Sequence, residues 1–218
     1  MDLTHSYLQV VPPDLLARYA WAETRMAAAV FAATNPVEFD DMVAVLRNFK
    51  VDPNLDIFPP GGNESLTAGR LNHQYRGKGW REGSYRVSVR SSLRRLPWAE
   101  AGETAPTVVE TDTDSASYLV DNLKGRVAID VEWHAKDGNL DRDLAAYRSL
   151  YAQTIIDCAV IVTMERKEMR AWALELNPET KKFATSTTTN LEKVLPRLQR
   201  GDGGGCPILV AAVSRATG

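Results

Sequence analysis

The stretch 118-YLVDNLKGRVAIDVEWHAKD-137 sets Asp121, Asp130 and Glu132 into a run otherwise suited to a core. In "RVAIDVEWH" a strand period of two puts Val127, Ile129, Val131 and Trp133 on one face, with Ala128, Asp130, Glu132 and His134 on the other. Asp130 and Glu132 therefore point the same way. "SYLVD" precedes them, and the turn-like Asn122 to Gly125 predicts an antiparallel hairpin that brings Asp121 back toward the same edge. Because the apolar face fills the core from the opposite side, the acids are expected to stay outside it. Clustered carboxylates repel, and one takes up a proton unless a cation relieves the repulsion. Oxygen ligands of this kind select a hard ion such as Mg2+, for which Mn2+ is the expected substitute. Held beside a basic surface, such an ion suits phosphodiester hydrolysis. The same spacing also fits the solvated face of an amphipathic strand with Asp121 as an ordinary turn residue, and spacing alone leaves both readings open.

Downstream, "NLDRDLAAYRSLYAQTII" places Leu140, Leu144, Tyr147, Leu150 and Tyr151 on one helical face, and "DCAVIVTM" reads as a strand buried on both sides. Strand, helix and strand in that order predict a crossover with the last strand parallel to the one bearing Asp130. The chain ends in a hydroxyl run "TSTTTN", a helix "LEKVLPRLQR" kinked or split at Pro196, a "GDGGG" loop and an apolar strand "PILVAAV". Upstream, "VVPPDLLARYAWAETRMAAAVFAAT" reads as one long amphipathic helix. "NPVEFDDMVAVLRNFK" reads as a second, with Asn35 and Glu38 at capping-box spacing. "VDPNLDIFPPGGNESL" reads as a loop, "TAGRLNHQYRGKGW" as a short helix, and "SYRVSVR" as a half-exposed strand with a basic outer face. The fold class is α/β with a central mixed β-sheet flanked by α-helices.

Composition narrows the class further. With 218 residues, 44% hydrophobic and 25% charged, the chain is long enough for one sizeable core, and a single domain is expected. Asp14, Arg18, Glu23 and Arg25 interrupt any leader-like apolar block, and no apolar run reaches membrane length. A soluble protein with no membrane partner, in a reducing cytoplasm, is the expectation. Cys158 and Cys206 imply neither a disulfide framework nor a cysteine metal cluster. A net charge of -2 argues against indiscriminate polyanion binding, but its distribution is uneven. Arg70 to Arg95 carries eight basic residues against Glu82 alone, whereas Gly102 to Asp121 carries five acids and no base. That separation suits one surface for phosphates beside another for metal ions, or a solvated arginine-rich hairpin.

Asp121, eight intervening residues and then "DVE" are similar to the PD-(D/E)XK nuclease motif. The longer "VDNLKGRVAIDVEWHAKDGNLDRDLAAYRSLY", with its "EW", nearby "KD" and "DRDL", resembles the BglII/BstYI group of type II restriction endonucleases. "TSTTTNLEKVLPRLQRGDGGGCP" resembles that group too, so the likeness covers about the C-terminal half. It implies a PD-(D/E)XK restriction-endonuclease-like core in a homodimeric, Mg2+-dependent prokaryotic enzyme, linked to a cognate DNA methyltransferase, that cuts both strands of double-stranded DNA at a short palindrome. A GATC-containing site is suggested by analogy. Residues 1–80 would be a helical part, 81–175 the catalytic core and 176–218 a DNA-recognition part. Carried over by position, Asp121 and Asp130 are the metal-binding acids and the Val131 carbonyl is an additional ligand. Glu132 is the third motif residue, near the attacking water and a candidate further ligand. Most of the superfamily has lysine there, and a carboxylate brings no positive charge to the phosphate.

DNA contacts are expected from Lys78 and Arg81 in "RGKGWREG", from Lys136, Asn139 and Arg142 around the following helix, and from Thr187, Thr188, Thr189 and Asn190. Asn190 reads first as a helix cap. "RGKGWREG" lacks the spacing of a nucleotide-binding loop. Glu23 is a candidate extra carboxylate or plain helix surface, and His134 either approaches the phosphate or is structural. A repair or structure-specific nuclease, and a catalytically silent DNA-binding protein of the same fold, remain the alternatives.

Overall fold

The structure is a computed structural model that describes residues 1–58, 65–115, 117–133, 137–184 and 188–218. In chain order the elements are β1 (Leu3–Thr4), α1 (Tyr7–Val10), α2 (Pro13–Arg18), β2 (Tyr19–Thr24), α3 (Ala27–Thr34), α4 (Pro36–Asn48), α5 (Leu66–Gly77) and β3 (Arg81–Tyr85). Then follow β4 (Ser88–Arg95), β5 (Thr107–Asp114), β6 (Tyr118–Lys124), β7 (Val127–Val131), α6 (Asp137–Ala152), β8 (Cys158–Met164), α7 (Arg166–Leu176), α8 (Leu191–Arg200) and β9 (Ile208–Val213). Two compact units result: residues 1–83 with 120–218, and residues 84–119.

The larger unit is built on a seven-stranded mixed sheet ordered β1-β2-β9-β8-β7-β6-β3. β7, β8 and β9 run parallel, with Asp130 opposite Ile161 and Ile161 opposite Val210. β6 returns antiparallel to β7, and β2 antiparallel to β9. The crossover predicted from strand, helix and strand is present. Each of β7, β8 and β9 is buried along its whole length, as parallel strands covered on both faces must be. One face shows Val127, Ile129, Val131, Val160, Val162, Leu209 and Ala211 to the main core, where Phe31, Met42, Leu46 and Leu71 come from α3, α4 and α5. α6 and α8 bury Leu140, Leu144, Tyr147, Val194 and Leu198 as well.

The N-terminal segment departs from the long helix that its apolar spacing suggests. It divides into α2, β2 and α3, with β2 pairing with β9 and the chain reversing at Arg25 and Met26, both at positive φ. Neither residue is a glycine or asparagine, so the composition carries no turn signal. Tyr19 and Trp21, which favour strands, sit among alanines that mask them. Glu23 thereby lies on a strand, not a helix surface, and is fully buried. Its carboxylate accepts from the Ser6 backbone N–H, from Ser6 Oγ at 2.9 Å and from Ala28 N at 2.8 Å. Its bonds are made at the β2–α3 corner.

Smaller departures have local causes. Asn35 makes no capping bond to α4; its amide instead donates to Thr34 Oγ1 and to Asp157 Oδ2. Asp52, whose side chain accepts from Asn54 N, opens a π-helical turn, Pro53–Ile57, inside the stretch read as a loop. The β6–β7 turn falls at Gly125 and Arg126, because Asn122 is buried within β6 and donates to Asn72 Oδ1 at 2.8 Å. α8 continues through Pro196 unbroken.

In the smaller unit β4 pairs with β5, and every residue of both strands is exposed. "SYRVSVR" is thus not one half-buried strand: Tyr85 ends β3 and β4 begins at Ser88. The register sets Arg90 opposite Asp112, and Arg90 forms ion pairs with Asp112 at 3.6 Å and Glu110 at 3.5 Å. The basic and acidic runs are therefore the two strands of one ribbon as much as two surfaces. Elsewhere Arg70 pairs with Asp56 at 2.6 Å and Lys78 with Asp41 at 3.3 Å, which disperses the basic run further.

Glu23→Ala would leave three buried donors without an acceptor, at a cost of about 2–4 kcal/mol. Urea denaturation should show a lower midpoint of that size, while divalent-ion binding by the folded variant stays as in the parent chain.

Candidate active site

β6 and β7 form the floor of the site, and the hairpin pairing locks two acids together reciprocally. Asp130 leaves β7 on the face covered by α6 and is 3% exposed. Its Oδ1 accepts from the Asp121 backbone N–H at 2.7 Å, and its Oδ2 accepts from the Tyr147 hydroxyl of α6. In return Asp121 Oδ2 accepts from the Val131 N–H at 3.1 Å. Each carboxylate thus bonds the backbone of the other strand. Asn72, reaching in from α5, also bonds Asp121, and its own orientation is fixed by Asn122. β7 gives way to a looser end, where Glu132 N donates to Val162 O at 2.8 Å and Trp133 N to the Val131 carbonyl at 3.2 Å.

The expectation that Asp130 and Glu132 remain outside the core fails here. Their face of β7 is covered by α6, so both faces of the strand are interior. Burial pushes Asp130 up to about 7, and the Asp121 charge adds to this, while the bonds from Asp121 N–H and Tyr147 pull it back. Asp121 is also raised by burial, against the opposing bonds from Val131 and Asn72.

Glu132 is raised by burial too, and a fourth acid meets it. Asp143 of α6 lies in hydrogen-bond contact with Glu132, and burial with the Glu132 and Asp130 charges raises it well above the carboxylate range. Glu132 Oε2 and Asp143 Oδ2 are shielded from solvent and have no donor. With both ionised the two can only repel, so the metal-free pair holds a shared proton. Asp143 and Tyr147 stand four apart on α6 and both face the acids of β7, which makes "DRDLAAY" the signal that could have revealed them. Asn72 offered no local signal.

The expected DNA contacts lie in varied surroundings. Lys78 is engaged with Asp41, and Arg81 donates to the carbonyls of Arg76 at 3.0 Å and Trp80 at 2.7 Å. Arg142 is exposed and donates to Asn139 at 3.0 Å. Thr188 is half-buried, whereas Thr189 and Asn190 are buried. Asn190 caps α8 by accepting from Lys193 N at 3.2 Å, as its position suggested. Lys136 and Thr187, like His134, lie outside the described residues.

Asp121, Asp130 and Glu132 are electrostatic neighbours, yet among the described residues no three His, Cys, Asp or Glu side chains converge as a finished metal cage. The donor chemistry nevertheless fits a hard divalent ion. All the groups are oxygens, two of them are shielded and without a partner, and no described Lys or Arg bonds those two.

Comparison with known proteins bears on these residues as a set. The family model described as Restriction endonuclease BglII/BglIII matches residues 19–213, and the chain belongs to that family. No curated protein matches the chain. Membership makes the protein a restriction endonuclease with DNA as its substrate, and enzymes of this kind generally use divalent metal ions. Among the described residues no helix is long and apolar enough to cross a membrane.

A carboxyl raised from 3.8 to about 7 binds its proton more tightly in the folded state than in the unfolded one. Its contribution to metal-free stability is full below the ordinary value and is lost as pH rises through the folded value, by up to about 4 kcal/mol. Asp130→Asn should remove most of that decline. Urea denaturation of both proteins between pH 4 and 8 measures it, and parallel pH profiles for the two would contradict the assignment.

Proposed function

We propose that the protein is a type II restriction endonuclease that hydrolyses both strands of double-stranded DNA at a short palindromic site with Mg2+, Mn2+ substituting. The observation that supports this best is the reciprocal bonding of Asp121 and Asp130 across a hairpin that also carries Glu132. Two acids held by each other's backbone keep their separation when charged, as a site for a cation and a phosphate needs. Asp121, Asp130 and the Val131 carbonyl are the groups we assign to the ion, with Glu132 as a further candidate.

A bound divalent ion supplies polarisation of the scissile phosphate and a more acidic water. The chain's residues do the remainder. The Tyr147 hydroxyl and the Asp121 N–H fix the Asp130 carboxylate, and Asn72 fixes Asp121. Water attacks phosphorus, its proton passes to a carboxylate for which Glu132 is the candidate, and the 3′ oxygen leaves. The products are a 5′-phosphate and a 3′-hydroxyl.

On this reading the enzyme acts as a homodimer, since cutting a palindrome on both strands asks for two symmetry-related centres. It functions in a prokaryotic cytoplasm beside a methyltransferase that protects the host site. Arg142 and Asn139, at the surface of α6, are the described residues best placed for backbone contacts. Lys78, Arg81, Lys136 and the segment from Thr187 to Asn190 are further candidates, of which Thr189 and Asn190 would have to be uncovered first.

Purified protein with Mg2+ or Mn2+ should convert varied unmethylated DNA into discrete fragments whose ends map to one short palindrome, and a chelator should abolish this. Asp130→Ala should lower the rate by at least about a hundredfold. Cutting only at forks, flaps or ends would instead identify a structure-specific nuclease. Binding of DNA without Asp130-dependent cleavage would identify a silent member of the fold.

A further inference from the structure

The meeting of Glu132 with Asp143 is not accounted for by a single cation on Asp121 and Asp130. Glu132 follows the end of β7, Asp143 stands in the second turn of α6, and they are 8% and 9% exposed. Each keeps an oxygen that is closed off from water and without a hydrogen-bond partner, Oε2 and Oδ2 respectively. Thr189 enters the same place from the segment ahead of α8. It is 0% exposed, and its hydroxyl lies close enough to Glu132 to favour the ionised carboxylate, yet Oγ1 has no hydrogen-bond partner.

Buried polar atoms normally find partners, and an unpartnered one loses roughly 1–3 kcal/mol. Here three lie together, delivered by three separate parts of the chain. Arg142 is the nearest base and acts on both acids only through space from an exposed position. The arrangement calls for a small positive occupant with several coordination positions. Carboxylate and hydroxyl oxygens without imidazole or thiolate select Mg2+ or Mn2+ over softer ions.

We propose that Glu132, Asp143 and Thr189 form a second divalent-cation site, separate from the one assigned to Asp121, Asp130 and the Val131 carbonyl. The inference rests on the metal-dependent reading and extends it to a two-cation enzyme. It also gives Glu132 a definite task. Where most of the superfamily has lysine, this chain brings in its positive charge as a cation held by Glu132 and Asp143.

The test is to count Mn2+ bound to the full, metal-stripped chain, reading free ion by electron paramagnetic resonance. The parent chain should bind two ions. Asp143→Asn should bind one, with the lost site weakened at least about tenfold. Thr189→Val should weaken that same site severalfold, and Asp121→Asn should remove the other. Circular dichroism checks folding, and if Asp143→Asn does not fold, Thr189→Val decides. Two ions retained by Asp143→Asn, or by Thr189→Val at unchanged affinity, would overturn the second site. So would a single ion in the parent chain that Asp143→Asn leaves in place, the first site then standing. A parent chain that binds no Mn2+ would overturn both the second site and the metal-dependent reading beneath it.

Discussion

Taking the Asp130 carboxylate out of water costs several kcal/mol unless fixed donors and a counter-charge replace its hydration. The protein supplies the donors itself. One comes from the neighbouring strand as the Asp121 N–H and one from the covering helix as the Tyr147 hydroxyl. No charged side chain contributes, and with Asp121 and Glu132 nearby the local field runs the wrong way. The polypeptide therefore completes the hydrogen bonding of the site and leaves its charge uncompensated.

That division explains why the site lies where the sheet changes character. β7 is antiparallel to β6 on one side and parallel to β8 on the other. The antiparallel side lets Asp121 and Asp130 exchange backbone bonds across a tight turn. The parallel side requires a crossover, and α6 is that crossover, so the helix that seals the core also carries Tyr147 and Asp143 to the acids. A different connection between β7 and β8 would have left these acids facing solvent.

Much of this was readable where the information is local. The period of two in "RVAIDVEWH" was enough to orient Asp130 and Glu132 and to assign Val127, Ile129 and Val131 to the core. The strand-helix-strand order was enough to make β8 parallel. What could not be read depends on partners distant in the chain. The same alternation permits either a wet or a covered polar face, and α6 decides in favour of cover. Asn72 lies about fifty residues before its partner Asn122 and belongs to a helix with no chemical signature. β2 was hidden because an alanine-rich sequence satisfies helical spacing, and because its pairing with β9 joins opposite ends of the chain. The "DRDLAAY" pair was visible but ambiguous, since an aspartate on a helix is most often at the surface and Asp143 is drawn in by the site it serves.

The β4–β5 ribbon bears on how such a chain diversifies. It adds no residue to the buried core, which is assembled entirely from residues before 84 and after 119. A segment of that kind is, in architectural terms, an insert. Selection on its length, charge order or turn sequence acts without disturbing sheet register or the packing beneath Asp130. Contacts with a target can thus be rewritten in the ribbon on a different evolutionary clock from the hydrolytic centre.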